Sequence, residues 1–436
     1  MHYSALASAD TGRASVFERR ESKVRSYAHS FPTKFVRASG VHLYDADDRE
    51  YLDFLAGCSS LNYGHNHPAL KKALTDYIVR DGLAHSLDME TDAKEAFLEE
   101  FEATILRPRG LDYVVQFPGP TGANAVEAAL KVARKATGRS NVIAFTNSFH
   151  GCSLGALALT GNAHNRGAAG VGLANVTRMP FDRYFGERVD TAACIDKMLT
   201  DPSGGIDPPA AFIVETVQGE GGLNAASLGW LREIERIARK HGAYFIVDDI
   251  QAGIGRTGTF FSFEPARIKP DIVTLAKSVS GYGLPMALTL FRRDLDVWKR
   301  GEHTGTFRGN CHAFVTAKAA LEGFWRDDAF EKSVQRKAQL LENRLQAVAD
   351  KHEGKIARVK GRGMMQGLDV NSGQVASRIV RRCFDNGLVI ETSGPHDEVV
   401  KCLAPLTIAE CDLQKGLDIL VDATQAALAD PPKVAA

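Results

Sequence analysis

Short apolar runs that stop abruptly at polar residues recur along the chain. Segments 141–146, 210–214, 244–247 and 271–275 are rich in β-branched and aromatic residues and lack polar alternation, which predicts strands buried on both faces of a parallel sheet. Between them lie helical periods, such as the apolar positions 126, 129, 130 and 133 within 117–135, and the segment 230–241. This alternation predicts an α/β fold, a doubly wound and mostly parallel central sheet. From about residue 331 the pattern changes. Helices over about 331–350, 372–386 and 411–428, with strands near 363–368 and 388–391, predict a separate α+β unit. Near the other end, 35–37, 41–44 and 51–55 read as short strands turning at the acidic cluster 45–48, ahead of a helix over 68–79 that starts with proline. The expected division is a flexible arm over 1–25, the N-terminal part of a small domain over 26–80, a large domain over 81–330 and the small domain's C-terminal part over 331–430. The tail DPPKVAA is disordered by composition.

The strand ends carry the chemistry. The run 244–247 stops at Asp248-Asp249, and 271–275 stops at Ala276-Lys277. In an open α/β sheet the C-terminal strand ends face the ligand crevice, because crossover helices cover the faces. A desolvated lysine there loses its proton more easily and can form a Schiff base with an aldehyde. Pyridoxal phosphate supplies such an aldehyde, and an aspartate against its ring nitrogen keeps the ring an electron sink. The same three residues read equally well as solvated loop-end charges.

Gly119, Gly122 and Ala123 leave bare backbone where a helix begins, a place suited to a phosphate; an ordinary glycine turn capped by Thr121 is the alternative. Phe149, two residues before Gly151 and after the 141–146 strand, can lie flat on a ligand ring or pack in the core. The segment 215–222 sets Glu215, Gln218 and Glu220 at another strand tip. His65 and His67 have no cysteine or carboxylate at metal spacing and read as loop hydrogen-bonding residues.

Composition narrows the class. Lys+Arg and Asp+Glu both number 53 in 436 residues, which argues against a broad nucleic-acid or membrane-binding surface. Seven scattered cysteines without a C-x-x-C pair and thirteen histidines without H-E-x-x-H spacing speak against disulfides and against a metal site. No apolar run has bilayer-spanning or signal-peptide length, so the expected location is the cytoplasm.

Taken in order, TGANAVEAALKVAR, SFHG, ETVQGEG, VDDIQAGIGRTG, LAKS and HTGTFRGN closely resemble the class III aminotransferases, fold-type I enzymes dependent on pyridoxal 5'-phosphate. The resemblance implies that Lys277 carries the cofactor, Asp248 pairs with its ring nitrogen, Gln251 approaches its phenolic oxygen and Phe149 stacks on its ring. It also implies that Gly122 and Ala123 hold the phosphate, and that Thr306 reaches the phosphate of a neighbouring subunit, making a homodimer or higher homo-oligomer the active unit.

The segments VRSYAHSFPTKF, LNYGHNHPALKKAL, ETVQGEGGLN, SGYGLPMAL and GEHTGTFRGN further resemble the diaminobutyrate:2-oxoglutarate transaminases of ectoine biosynthesis. They imply amino transfer from L-glutamate to L-aspartate 4-semialdehyde. Other readings are an ω-transaminase for ornithine, 4-aminobutyrate or a diamine, a lyase or aminomutase, and a non-catalytic cofactor-binding regulator. Glu220 matches the glutamate that neutralises a carboxylate-clamping arginine in many class III enzymes. That arginine is missing: aligning on Ala404-Pro405 places Cys402 there, with Lys401 on the opposite face if the segment is a strand. Arg308 is the expected replacement carboxylate binder, or else a structural or subunit-contact residue.

Overall fold

The computed structural model describes residues 15–429. The arm assigned to 1–25 lies outside the described residues over 1–14, as does the tail 430–436. The centre is a seven-stranded sheet, numbered here in chain order: β1 (Tyr113–Gln116), β2 (Val142–Phe145), β3 (Val176–Met179), β4 (Ala211–Val214), β5 (Tyr244–Asp248), β6 (Ile272–Leu275) and β7 (Leu288–Arg292). Their spatial order is β3-β2-β4-β5-β6-β7-β1. All pairings are parallel except those of β7, which runs antiparallel to both β6 and β1. Six strands therefore point their C-terminal ends the same way, and β7 alone opposes them.

Burial explains the apolar runs. Every residue of β2, β4 and β6 is buried, because helices cover both faces of the sheet, as parallel sheets require. One face packs Ile143, Phe212, Phe245 and Val273 into the larger core; the other packs Val142, Ile213, Ile246 and Ile272 against the helix Gly122–Thr137. Strands β1 and β3 fall outside the runs recognised from sequence, and β3 is only half-buried over most of its length.

The chain ends fold against each other. Strands Phe35–Ser39, His42–Asp45 and Glu50–Asp53 form a sheet whose fourth member, Leu388–Val389, pairs parallel with the third. A second sheet takes the order Arg358–Arg362, Met365–Asp369, Val399–Cys402, Glu391–Ser393, all antiparallel. One core joins Val41, Leu52 and Phe54 to Leu341, Leu388, Val400 and Leu420. The single strand expected over 388–391 is two. Leu388–Val389 belongs to the first sheet and Glu391–Ser393 to the second, so the chain changes sheets at Ile390. Among the described residues no helix is long and apolar enough to cross a membrane.

Candidate active site

Five strand ends converge on one cleft. A cavity of about 340 Å³ is lined by Gly122, Ala123, Phe149, Glu220, Asp248, Gln251 and Lys277 together with His150 and Glu215. These arrive from the helix after β1 and from the ends of β2, β4, β5 and β6, as expected of an open α/β sheet.

Lys277 leaves β6 with φ of 53°, a left-handed conformation that costs a non-glycine residue about 1–2 kcal/mol. The 3₁₀ turn Lys277–Ser280 holds it there. Ser278 Oγ donates to the Ser59 carbonyl at 2.6 Å and accepts from the Asn62 amide at 2.9 Å, so the turn is fastened to the loop opposite. That loop is itself left-handed at Ala56, Gly57, Cys58 and Ser59, and its Cys58 carbonyl accepts from Lys277 Nζ at 2.8 Å. Strain on both sides of one hydrogen bond fixes the amine in the cavity. Burial pushes the Lys277 ammonium below its ordinary value, although Glu220 opposes this.

Asp248 is held by three contacts. Its Oδ2 lies 2.6 Å from His150 Nδ1; its Oδ1 accepts from Thr274 Oγ at 3.1 Å and from the Ile250 amide at 3.2 Å. Neighbouring Asp249 turns away to Ser262, whose amide donates to it at 3.0 Å. One acid thus faces the cavity and the other anchors the loop. Glu215 Oε2 accepts from the Phe149 amide at 2.9 Å, setting the ring's backbone at the cavity edge.

The helix Gly122–Thr137 is capped by Thr121, whose side chain accepts from the Asn124 amide. Among the described residues no acceptor pairs with the Gly122 and Ala123 amides. They remain available to an anion at the positive end of the helix dipole. Gly151, at φ of 131°, is required beside them, since a Cβ there would meet the Ala123 Cβ at 2.9 Å.

Two expected site residues stay outside this cavity. Thr306 lies in the turn Thr306–Arg308, where its carbonyl is 2.5 Å from His85 Nε2. Arg308 pairs with Asp88 and donates to the His303 carbonyl at 3.4 Å. The structure does not bring its guanidinium to the cavity of the same chain; it pairs with Asp88 instead.

A cation does stand beside Glu220, and it is Lys401. Strand Val399–Cys402 turns Val400 and Cys402 into the apolar core and Lys401 to the opposite face. There Lys401 Nζ donates to Glu220 Oε1 at 3.1 Å and lies 2.9 Å from Glu391 Oε1. Lys401 thus faces opposite to Cys402, as expected of a strand here, and the face it takes is the one that holds Glu220. Burial works to raise the Glu220 carboxyl, but Lys401 and Lys277 outweigh it and hold it down at about 2. The same exchange runs in reverse at Lys401, which burial would lower and the two carboxylates raise. Glu391, Tyr27 and Cys58 complete this cluster; Glu391 and Cys58 fall outside the quoted motifs, and Tyr27 lies in VRSYAHSFPTKF with no role read for it.

The residues present fit a flat, anionic aldehyde. Lys277 offers a desolvated amine, Asp248 a buried carboxylate, and Gly122 and Ala123 free amides, while His150 Nε2 and Gln251 Oε1 are buried without a partner among the described residues. A desolvated lysine, a buried acid and an anion-accepting helix start at the ends of such a sheet define a fold-type I pyridoxal-phosphate-dependent transferase. The chain belongs to the class III aminotransferases, whose family model matches residues 24–424. It is 55% identical over 410 residues to the diaminobutyrate–2-oxoglutarate transaminase of Vibrio parahaemolyticus, covering 94% of this chain and 97% of that one. It is also 55% identical over 415 residues to the enzyme of the same name from Halomonas elongata, covering 94% and 99%. The ornithine aminotransferase structure from Toxoplasma gondii superposes with a TM-score of 0.82 at 26% identity, covering 94% of both chains.

Proposed function

We propose that the protein is a pyridoxal-phosphate-dependent transaminase that moves the amino group of L-glutamate to L-aspartate 4-semialdehyde, giving L-2,4-diaminobutyrate and 2-oxoglutarate. The observation that carries the substrate pair is identity of about 55% across nearly the whole chain to relatives named for diaminobutyrate and 2-oxoglutarate. Similarity to an ornithine enzyme stands at 26%, which favours diaminobutyrate over ornithine.

When bound, the cofactor supplies an aldehyde that condenses with amines and a ring that accepts the electron pair released at the substrate carbon. Gly122 and Ala123 would hold its phosphate, Phe149 its ring face, Asp248 its ring nitrogen and Gln251 its phenolic oxygen. Lys277 is the base: its amine, desolvated and steered by the Cys58 carbonyl, takes the proton from the reacting carbon of the amino donor and returns it later. Glu220 and Lys401 handle charge at the far end of the substrate.

We assign the enzyme to a homodimer in the cytoplasm and to ectoine-type biosynthesis. Thr306 serves the neighbouring subunit's phosphate in this reading, which accounts for its place outside the cavity. Around it, Ile78, Val79, Leu83, Leu87, Met89 and Phe307 are exposed apolar residues in one region of chain turns, a composition that favours burial by a second copy.

A single-turnover absorbance scan tests the reaction. Both 2,4-diaminobutyrate and L-glutamate should remove the cofactor's visible band, and aspartate 4-semialdehyde and 2-oxoglutarate respectively should restore it. A response to glutamate with none to diaminobutyrate would leave a transaminase and discard this substrate.

A further inference from the structure

Lys401 is one cation between two carboxylates. Glu391 and Lys401 are directly opposed in the antiparallel pair Glu391–Ser393/Val399–Cys402, so their side chains share a face of the sheet. Lys401 is fully buried there, and Glu391 is only 7% exposed. The lysine's aligned hydrogen bond goes to Glu220. Glu391 Oε1 lies 2.9 Å from the same nitrogen yet remains a buried acceptor without an aligned donor among the described residues. Its Oε2 accepts from Tyr27 Oη at 3.1 Å and faces Cys58 Sγ at 3.8 Å. The carbonyl of that same Cys58 holds Lys277 Nζ at 2.8 Å. A buried acid that shares Lys401 with Glu220 thus stands one residue away from the proposed reacting amine.

A buried acid that shares its ion-pair partner with Glu220 gains from the arrival of a further cation. The substrates differ in whether they bring one. With the reacting nitrogen at Lys277, L-glutamate offers only carboxylates beyond it. Aspartate 4-semialdehyde and 2,4-diaminobutyrate, reacting through their far ends, offer an ammonium and a carboxylate on one carbon. One lysine flanked by two glutamates is complementary to that zwitterion: Lys401 matches the carboxylate and Glu391 matches the ammonium.

We propose that Glu391, seated against Lys401, determines specificity by receiving the α-ammonium of the amino-acid head group carried by the ω-aldehyde or ω-amine substrate. This rests on the transaminase reading above and extends it to the feature that separates 2,4-diaminobutyrate from 4-aminobutyrate, which lacks only that ammonium. Tyr27, donating to the oxygen of Glu391 that does not face Lys401, is a positioning residue for it.

The test compares kcat/KM for 2,4-diaminobutyrate and 4-aminobutyrate in the holoenzyme and in Glu391→Gln, with the L-glutamate half-reaction as control. The wild type should prefer the diamine by at least about 100-fold, as expected where a buried polar group would otherwise be left unpaired. The variant should compress that ratio to about 10-fold or less, chiefly through KM for the diamine, while the glutamate half-reaction changes by less than about threefold. Tyr27→Phe, which leaves the carboxylate in place, should shift the ratio the same way by a smaller factor and supplies the answer if Glu391→Gln does not fold. An unchanged ratio in a variant that retains the cofactor band overturns the role of Glu391 and leaves the transaminase standing. No turnover of the diamine by the wild type overturns the substrate assignment first, and the inference with it.

Discussion

His150 Nδ1 and Asp248 Oδ2 lie 2.6 Å apart at the floor of the cleft, and neither side chain has meaningful access to solvent. Burial alone would lower the imidazole, but the hydrogen bond and charge of Asp248 outweigh it, so His150 is held above its ordinary value. The pair orients the carboxylate that is proposed to face the cofactor ring. His150→Asn keeps a polar side chain but takes away a titratable partner. It should lower kcat by about 10- to 100-fold, the usual effect of removing a residue that orients a site ligand, and should move the pH profile of the cofactor's absorbance. A kcat loss with an unmoved spectral profile would mean that His150 only packs.

Glu215, buried beside this pair, is pushed up from 4.5 to about 7, chiefly by burial, with His150 opposing and Asp248 adding. The folded chain therefore keeps a proton that the unfolded chain gives up. The resulting stability is fully present below about pH 4.5 and is lost as pH rises through about 7. Glu215→Gln removes this dependence, so the variant apoprotein should gain on the wild type between pH 5 and pH 8. The gain should reach at most about 3 kcal/mol, reduced by whatever the Phe149 amide loses. Denaturant midpoints across that range read the difference; a gap that is flat or narrows with rising pH contradicts the assignment.

Which parts of the site could be read in the sequence follows from how far each part depends on pairing. Asp248 and Lys277 announce themselves because parallel strands all end on one rim, and a buried run that stops at a charged residue marks that rim by itself. Gly122 and Ala123 are legible for a similar local reason, a bare helix start. The cluster of Lys401, Glu391 and Tyr27 depends on register instead. Val399–Cys402 is buried throughout, so hydrophobicity does not tell its faces apart, and a slip of one residue exchanges Cys402 for Lys401. Glu391 is hidden further by the change of sheets at Ile390, which makes one apolar run into two strands. Tyr27 reaches Glu391 from 364 residues away in sequence, a distance no local pattern spans.

Gly219 and Gln251 meet so closely that a Cβ on the glycine would fall 1.6 Å from Gln251 Oε1. The clash falls on the far end of a flexible side chain, so Gly219→Ala should fold and push Gln251 aside. Gln251 would then lose its 3.1 Å bond to Glu220 Oε1 and its place at the cavity wall. We expect kcat/KM to fall by about 10-fold or more, with less than about 1 kcal/mol of stability lost. Equal losses of activity in Gly219→Ala and Gln251→Ala, with no further loss in the double variant, would assign the effect to Gln251.

Arg256 fastens the cleft from behind. It is among the largest fully buried side chains of the described residues, and burial lowers its guanidinium to about 9. Nη1 donates to the Ala404 carbonyl at 2.6 Å and the Met364 carbonyl at 3.1 Å, and Nη2 donates to Asn62 Oδ1 at 2.6 Å. One side chain therefore ties the glycine-rich loop after β5 to the loop that meets Lys277 and to the segment that follows the Lys401 strand. Arg256→Met fills similar volume but leaves three buried acceptors without their donor. The expected loss is about 3 kcal/mol, measured as a lower urea midpoint with an unchanged slope. Arg256→Lys should recover less than half of it, because a single ammonium cannot reproduce the fork that reaches all three oxygens. A loss under about 1 kcal/mol in Arg256→Met would show that water enters to satisfy those acceptors and that the three segments are held by their apolar packing instead.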